Sequence, residues 1–212
     1  MNYITQIDTE LLLLINSLHC NILDKIMLAY TNKMTWIPFY ATLIAIAVLN
    51  MRHHPRTLII FILCMAATIT VSDQLCGHVI RDAIGRMRPS NPDNPISNLL
   101  HIVNNYRSGK FGFPSCHAAN TFALATALHF VFKNKRLNAM MAFWALLNCY
   151  TRLYLGVHYP GDIMAGAIIG TLSSILIFGF ISWENKHLSA QHLLWAYTVL
   201  MLTILTAPFF YK

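Results

Sequence analysis

Thr151-Arg152-Leu153-Tyr154-Leu155-Gly156-Val157-His158-Tyr159-Pro160-Gly161-Asp162 is a polar island between long apolar runs, and its reading decides what kind of molecule this is. A histidine stands four residues before a carboxylate, with an arginine six residues ahead of it. If the chain turns as a helix start from His158, then His158 and Asp162 share one face and come within reach of each other. A carboxylate that accepts one imidazole N–H fixes the tautomer and leaves the other ring nitrogen free to act as base or nucleophile. Arg152 is placed to hold an anion against that nitrogen. Read blandly, the same residues are a histidine and an aspartate capping a membrane helix. The rest of the chain separates the two readings.

Of 212 residues, 56% are hydrophobic and 11% charged, against about a quarter charged in ordinary globular domains. Several runs are long enough for the about 20 residues that a helix needs to cross a bilayer. The opening residues, Met1 to Glu10, lack the basic-then-apolar pattern of a cleaved signal peptide. The chain therefore reads as one membrane-embedded domain, 1–212. Its net charge of +7 is divided among short loops between apolar segments, which is a use for topology and for an anionic substrate rather than a nucleic-acid footprint. The five cysteines, Cys20, Cys64, Cys76, Cys116 and Cys149, show no CxxC pair and no zinc spacing. No structural disulfide and no metal cluster are expected.

Outward from the island, six spans are expected: 34–50, 57–80, 115–132, 137–150, 163–183 and 192–211. Residues 1–33 are apolar but interrupted by Asp8, Glu10, Asn16, Asp24, Lys25 and Lys33, and fit helices lying in the membrane interface, as a lipid-facing apron or a plain anchor. The fold class is all-α, a polytopic transmembrane helix bundle with N-terminal interfacial helices. Gly166 and Gly170 form a small-xxx-small face for close helix packing. The loops 51–56, 133–136 and 184–191 share one side, carrying Arg52, Arg56, Lys133, Lys135, Arg136 and Lys186, and the positive-inside rule places them in the cytoplasm. The long polar segment 81–114 and the island then share the opposite face, where they can meet.

Three clusters fall on that face. In Arg81-Asp82-Ala83-Ile84-Gly85-Arg86-Met87-Arg88-Pro89, Arg81 and Arg88 are seven apart, two helical turns, and are expected to line one face at the mouth of the second span. Arginine suits multi-donor recognition of phosphate oxygens, although a lone arginine at a span's end is usually there for topology. Phe113-Pro114-Ser115-Cys116-His117 opens the third span. Pro114 and Ser115 suit first helical positions, and the amides there with the Ser115 hydroxyl offer an anion site. An ordinary cap beside an interface histidine is the plainer alternative. Asp73 and His78, inside the second span, read as structural, while His53, His54, His187 and His192 read as interface residues. His101, Arg107 and Lys110 are near enough in sequence to contact a headgroup, with nothing to fix it.

Together the blocks Arg81-x6-Arg88-Pro89, Pro114-Ser115-Cys116-His117 and Thr151-Arg152-x5-His158-x3-Asp162 resemble the type 2 phosphatidic acid phosphatase superfamily, whose signature is Lys-x6-Arg-Pro, Pro-Ser-Gly-His and Ser-Arg-x5-His-x3-Asp. Spacing and order are kept across about 57–183, the expected catalytic core. Arg81 replaces lysine, Thr151 replaces serine, and Cys116 replaces glycine, which is tolerable if that position needs no positive φ. The resemblance implies that His158 attacks phosphorus, Asp162 orients it, and His117 serves as acid and then base. It further implies that Arg81, Arg88, Ser115, Arg152 and the Cys116 amide hold the phosphoryl group, with no metal and no other cofactor. A reactive Cys116 thiolate is a rival role. The implied enzyme is a lipid phosphatase in the inner membrane of a bacterium, its site on the periplasmic face. The bilayer and a membrane lipid are its partners; no nucleic acid and no obligatory protein partner are expected. Undecaprenyl diphosphate, lipid A phosphate, phosphatidylglycerophosphate and phosphatidic acid remain open as substrates. A headgroup-binding or lipid-flipping protein, and a vanadate-dependent haloperoxidase-like enzyme, are the alternatives.

Overall fold

The computed structural model describes residues 3–183 and 188–210; Lys186 and His187 lie outside the described residues. The helices are α1 (Tyr3–Ser17), α2 (Asn21–Thr31), α3 (Ile37–Met51), α4 (Pro55–Gln74), α5 (Ile80–Ile84), α6 (Cys116–Phe132), α7 (Lys135–Tyr154), α8 (Pro160–Phe178) and α9 (Ala190–Phe210). Helix α4 runs through a π turn, Leu75–Val79, into α5, so the second span is one 30-residue rod from Pro55 to Ile84. The rods at 33–51, 55–84, 160–178 and 190–210 are long and apolar enough to cross a membrane. Helix α6 is shorter, and α7 carries Lys135, Arg136 and Arg152; both occupy the middle of the bundle. Outward faces are apolar, with Leu63 63%, Met164 66%, Leu176 65% and Leu205 65% exposed. A soluble protein does not leave such rows open; here they face lipid.

The tightest pairing is α6 on α8, and the two glycines make it. A Cβ on Gly170 would lie 2.0 Å from the Ala119 carbonyl oxygen, and one on Gly166 2.3 Å from that of Ser115. Only glycine lets the backbones meet this closely. Between α6 and α7 the chain reverses through Lys133, in the left-handed region at φ 46°, and Asn134, whose side chain caps the Arg136 and Leu137 amides. Trp36 meets Trp144 edge-on and Phe39 meets it at a tilt, in a buried core joining the start of the 33–51 rod to α7.

The N-terminal pair is bent by 116° at its break, so it is no single straight span. It does more than anchor. Asn16 donates to the carbonyls of Tyr154 and His101, and Asp24 accepts from Tyr154 Oη at 2.6 Å and contacts His101 Nε2 at 2.8 Å. These bonds tie α1 and α2 to the end of α7 and to the long loop at His101.

Candidate active site

Each cluster is positioned by a break in regular structure. Helix α5 stops at Gly85, in the left-handed region at φ 61°. The chain then runs extended and pairs antiparallel, Met87 opposite Phe111, with the Gly112 amide donating to the Arg86 carbonyl and the Arg88 amide to that of Lys110. The two-turn helical relation expected of Arg81 and Arg88 is therefore corrected: Arg81 ends the rod, while Arg88 lies beyond a glycine break on an extended segment. In that segment residues two apart share a face, which sends Arg86 and Arg88 the same way. Both reach the island.

Helix α6 begins one residue later than expected, at Cys116, with Ser115 as N-cap accepting from the Ala118 amide. The Ser115 amide itself is taken by the Asp162 carbonyl at 3.0 Å, leaving the Cys116 and His117 amides among those a helix start offers an anion. Cys116 has helical backbone and is outside the positive-φ set, so the glycine of the family pattern is dispensable there. Its Sγ accepts from Arg81 Nη2 at 3.0 Å, the same nitrogen that reaches the Pro114 carbonyl at 3.0 Å.

Helix α8 begins at Pro160, so His158 lies outside the helix, in the turn that Gly156 (φ 65°) opens. Its meeting with Asp162 is made by the aspartate folding back over the helix start: Oδ2 accepts from the Tyr159 amide at 3.0 Å and lies 3.3 Å from His158 Nδ1. On its other side His158 Nε2 is 2.7 Å from Arg88 Nη1. A guanidinium has only donors, so Nε2 accepts and holds the lone pair, and Nδ1 carries the hydrogen toward Asp162. Burial, followed by the charges of Arg88, Arg152 and Arg81, holds the His158 imidazole well below its ordinary pKa, hence neutral. Burial and the neighbouring Arg152 and Arg81 lower Arg88 in turn, to about 10. Burial alone would push the Tyr106 phenol up, yet the Arg152 guanidinium beside it brings it below its usual value.

Arg88 and Arg152 are buried and Arg81 is half-buried, and parts of their guanidinium groups lack partners. The Nε groups of Arg81, Arg88 and Arg152, and Nε2 of His117, are buried with no hydrogen-bond partner among the described residues. Unsatisfied buried donors are uncommon and costly, and one phosphate-sized anion would satisfy several at once. Arg152 is otherwise fixed by Thr31 Oγ1 and by Tyr106 Oη at 2.9 Å. His117 bonds the Thr31 backbone and borders a cleft of about 960 Å³ between α2 and the 103–106 loop. Thus the structure brings together His158, Asp162, Arg81, Arg88, Ser115 and Cys116, with Arg152 and His117 beside them. Three participants escaped the sequence reading. Arg86 bridges Asp162 Oδ1 at 2.9 Å and Asp8 Oδ2 at 2.5 Å and stacks on Tyr159. Asp8, 153 residues away, also accepts from the Gly161 amide. Gly112 backs the site, since a Cβ there would sit 3.0 Å from Arg88 Cγ and 3.1 Å from Asp162 Oδ2. Only Arg86 carried a local signal, its alternation with Arg88. His101 and Arg107 are internal staples, Arg107 to Ser90 and Ser97. Asp73 accepts from Asn120 at 3.2 Å.

Residues 57–186 match the model of the PAP2 superfamily. The chain belongs to the PAP2 superfamily. Among its relatives, the lipid A 4'-phosphatase of Bacteroides thetaiotaomicron is 46% identical over 178 residues, 84% of this chain and 78% of that one. The lipid A 4'-phosphatase of Porphyromonas gingivalis is 28% identical, covering 84% and 74%. In fold this PAP2 chain is similar to the crystal structure of a transmembrane PAP2 phosphatidylglycerolphosphate phosphatase from Bacillus subtilis, with TM-score 0.64, 24% identity, and 85% and 87% coverage. With phosphatases as its relatives, one of them 46% identical over 84% of its length, the chain is a phosphatase.

Proposed function

We propose that this membrane lipid phosphatase removes a phosphate from the headgroup of a lipid A-type glycolipid through a phosphohistidine on His158. The observation that carries the reaction is a buried His158 whose Nε2 accepts from Arg88 Nη1 at 2.7 Å, beside arginines whose Nε groups lack acceptors. The substrate class is supported by 46% identity to a lipid A 4'-phosphatase over 84% of the chain.

The chemistry follows from the donor set. A phosphate monoester entering beside His158 takes over the N–H that Arg88 gives to Nε2, which frees the lone pair for attack. Arg81, Arg88 and Arg152, with the Ser115 hydroxyl and the amides opening α6, stabilise the charge of the transferring group. As the N–P bond forms, Asp162 accepts from Nδ1–H and balances the growing imidazolium charge. His117 Nε2 delivers a proton to the departing lipid oxygen and then takes one from the water that hydrolyses the phosphohistidine. The positive-inside rule supports the bacterial inner membrane with the site on the periplasmic side.

The test is phosphate release from lipid A, phosphatidylglycerophosphate, phosphatidic acid and undecaprenyl diphosphate in EDTA, comparing wild type with His158→Ala and His117→Ala. Lipid A is expected to be hydrolysed best. His158→Ala abolishes release, and His117→Ala accumulates acid-labile labelled enzyme. Wild-type rates in His158→Ala would end the phosphohistidine reading, and a preference for another lipid would end the substrate assignment alone.

A further inference from the structure

The family match begins at residue 57, yet the cleft leading to the site is lined mostly by residues before it. Lys25, Thr31, Asn32 and Lys33 line one wall, Asn104 and Tyr106 the other, and His117 lies where it meets the site. Lys25 and Lys33 are exposed, and neither makes a hydrogen bond or ion pair among the described residues. The carboxylate in the lining, Asp24, is already engaged by Tyr154 and His101. The wall is therefore cationic, and Lys33 lies within electrostatic reach of His117. A second cavity of about 590 Å³ shares Asn21 and Lys25 with the cleft and continues along an apolar groove between Ile22 and Ile26 of α2 and Ile204, Leu205 and Phe209 of α9. Helix α9 too lies outside the matched segment.

We propose that Lys25 and Lys33 form an anion subsite for a second acidic group on the lipid headgroup, and that the α2–α9 groove seats one of its acyl chains. The inference rests on the functional reading above. In that reading His117 faces the leaving oxygen, so whatever fills the cleft beyond His117 is the departing lipid and not the phosphate being transferred. A cleft of about 960 Å³ is at the upper end of volumes that enclose a drug-sized ligand, enough for a sugar headgroup. Its polar floor continues into an apolar groove, the sequence of surfaces that an acylated sugar phosphate presents. The catalytic core supplies the chemistry, and the flanking helices choose the lipid.

The experiment measures binding of bisphosphorylated and monophosphorylated lipid A to His158→Ala protein in detergent, so hydrolysis plays no part. Adding Lys25→Ala and Lys33→Ala is expected to weaken the bisphosphorylated lipid relative to the monophosphorylated one by about tenfold, as lost charge-assisted contacts require. Lys25→Arg with Lys33→Arg restores the ratio. Ile204→Trp, which fills the groove, weakens long-chain lipids relative to a short-chain phosphate ester. A ratio within about twofold of the parent protein, or an arginine variant as impaired as the alanine one, overturns the subsite. Failure of the functional reading is recognised separately, as absence of phosphate release by protein with His158 intact.

Discussion

At the scale of single residues, the site is a problem of charge held away from water. Asp162 is 1% exposed at its side chain and is neutralised by Arg86, itself shared with Asp8. Removing one partner of a buried ion pair costs about 3–5 kcal/mol, because the other charge stays buried. Arg86→Ala is thus expected to lower kcat/KM by about 10²-fold, since an unbalanced, buried Asp162 takes up a proton from solvent and no longer accepts from His158 Nδ1–H, losing the tautomer that the attack needs. Arg86→Lys recovers part of it, and Asp8→Asn gives a smaller loss in the same direction; steady-state kinetics in detergent decide. A second expectation concerns pH. His158 is held below its ordinary 6.5 by burial and by Arg88, Arg152 and Arg81. A depressed pKa keeps the lone pair available as pH falls, so the limb of kcat/KM belonging to His158 lies below 6.5. Arg88→Gln removes one of the depressing charges, and the limb is expected to move up. A limb at or above 6.5 in the wild type would contradict the neutral nucleophile.

At the scale of elements, α6 and α8 act as a matched pair. Each presents its N-terminus to the site, and the Ser115 amide bonds the Asp162 carbonyl across them at 3.0 Å. Gly166 lies directly against the Ser115 carbonyl, so a methyl group there must push the two starts apart. Gly166→Ala is expected to cost about 1–3 kcal/mol of stability, as overpacking does, and to cut kcat disproportionately while the protein still extracts as a monodisperse species. Gly170→Ala, deeper in the pair, lowers the melting temperature with a smaller effect on turnover. Parallel thermal melts and kinetics separate the two. Part of this is legible in the residues: the spacing of Gly166 and Gly170 is set by one helix, whereas His158 and Asp162, expected to share a helix face, meet because Asp162 folds back over the start of α8. What was not legible lay across breaks. The glycine at 85 ends the rod and turns Arg88 onto an extended segment, and nothing in Arg81-x6-Arg88 distinguishes that from two more helical turns. The π turn at 75–79 likewise leaves no apolar-period mark, yet lengthens the second span to Ile84.

At the scale of the whole molecule, the N-terminal pair converts a bundle into an enclosed site. Asp8, Asn16, Asp24 and Thr31 each bond a residue more than 75 positions away, a separation that hides them from any local pattern. The same enclosure bears on the charge count from which orientation is proposed. Arg86 is neutralised by Asp8 and Asp162, and Arg81, Arg88 and Arg152 are turned into the site. They are poor topological signals on that face. Arg52, Arg56, Lys133, Lys135 and Arg136, by contrast, stand in two short turns and the helix starts that follow them, with no carboxylate beside them in sequence, the arrangement that the positive-inside rule associates with the cytoplasmic side. The proposed orientation therefore makes a sharp expectation for intact cells carrying a Cys20→Ser background. A cysteine introduced at Ser108, in the long loop of the site face, reacts with a membrane-impermeant maleimide added outside. One introduced at Lys135 reacts only after the membrane is opened. The reverse pattern would place the site on the cytoplasmic side, and the lipid it meets would then have to be one presented to the inner leaflet.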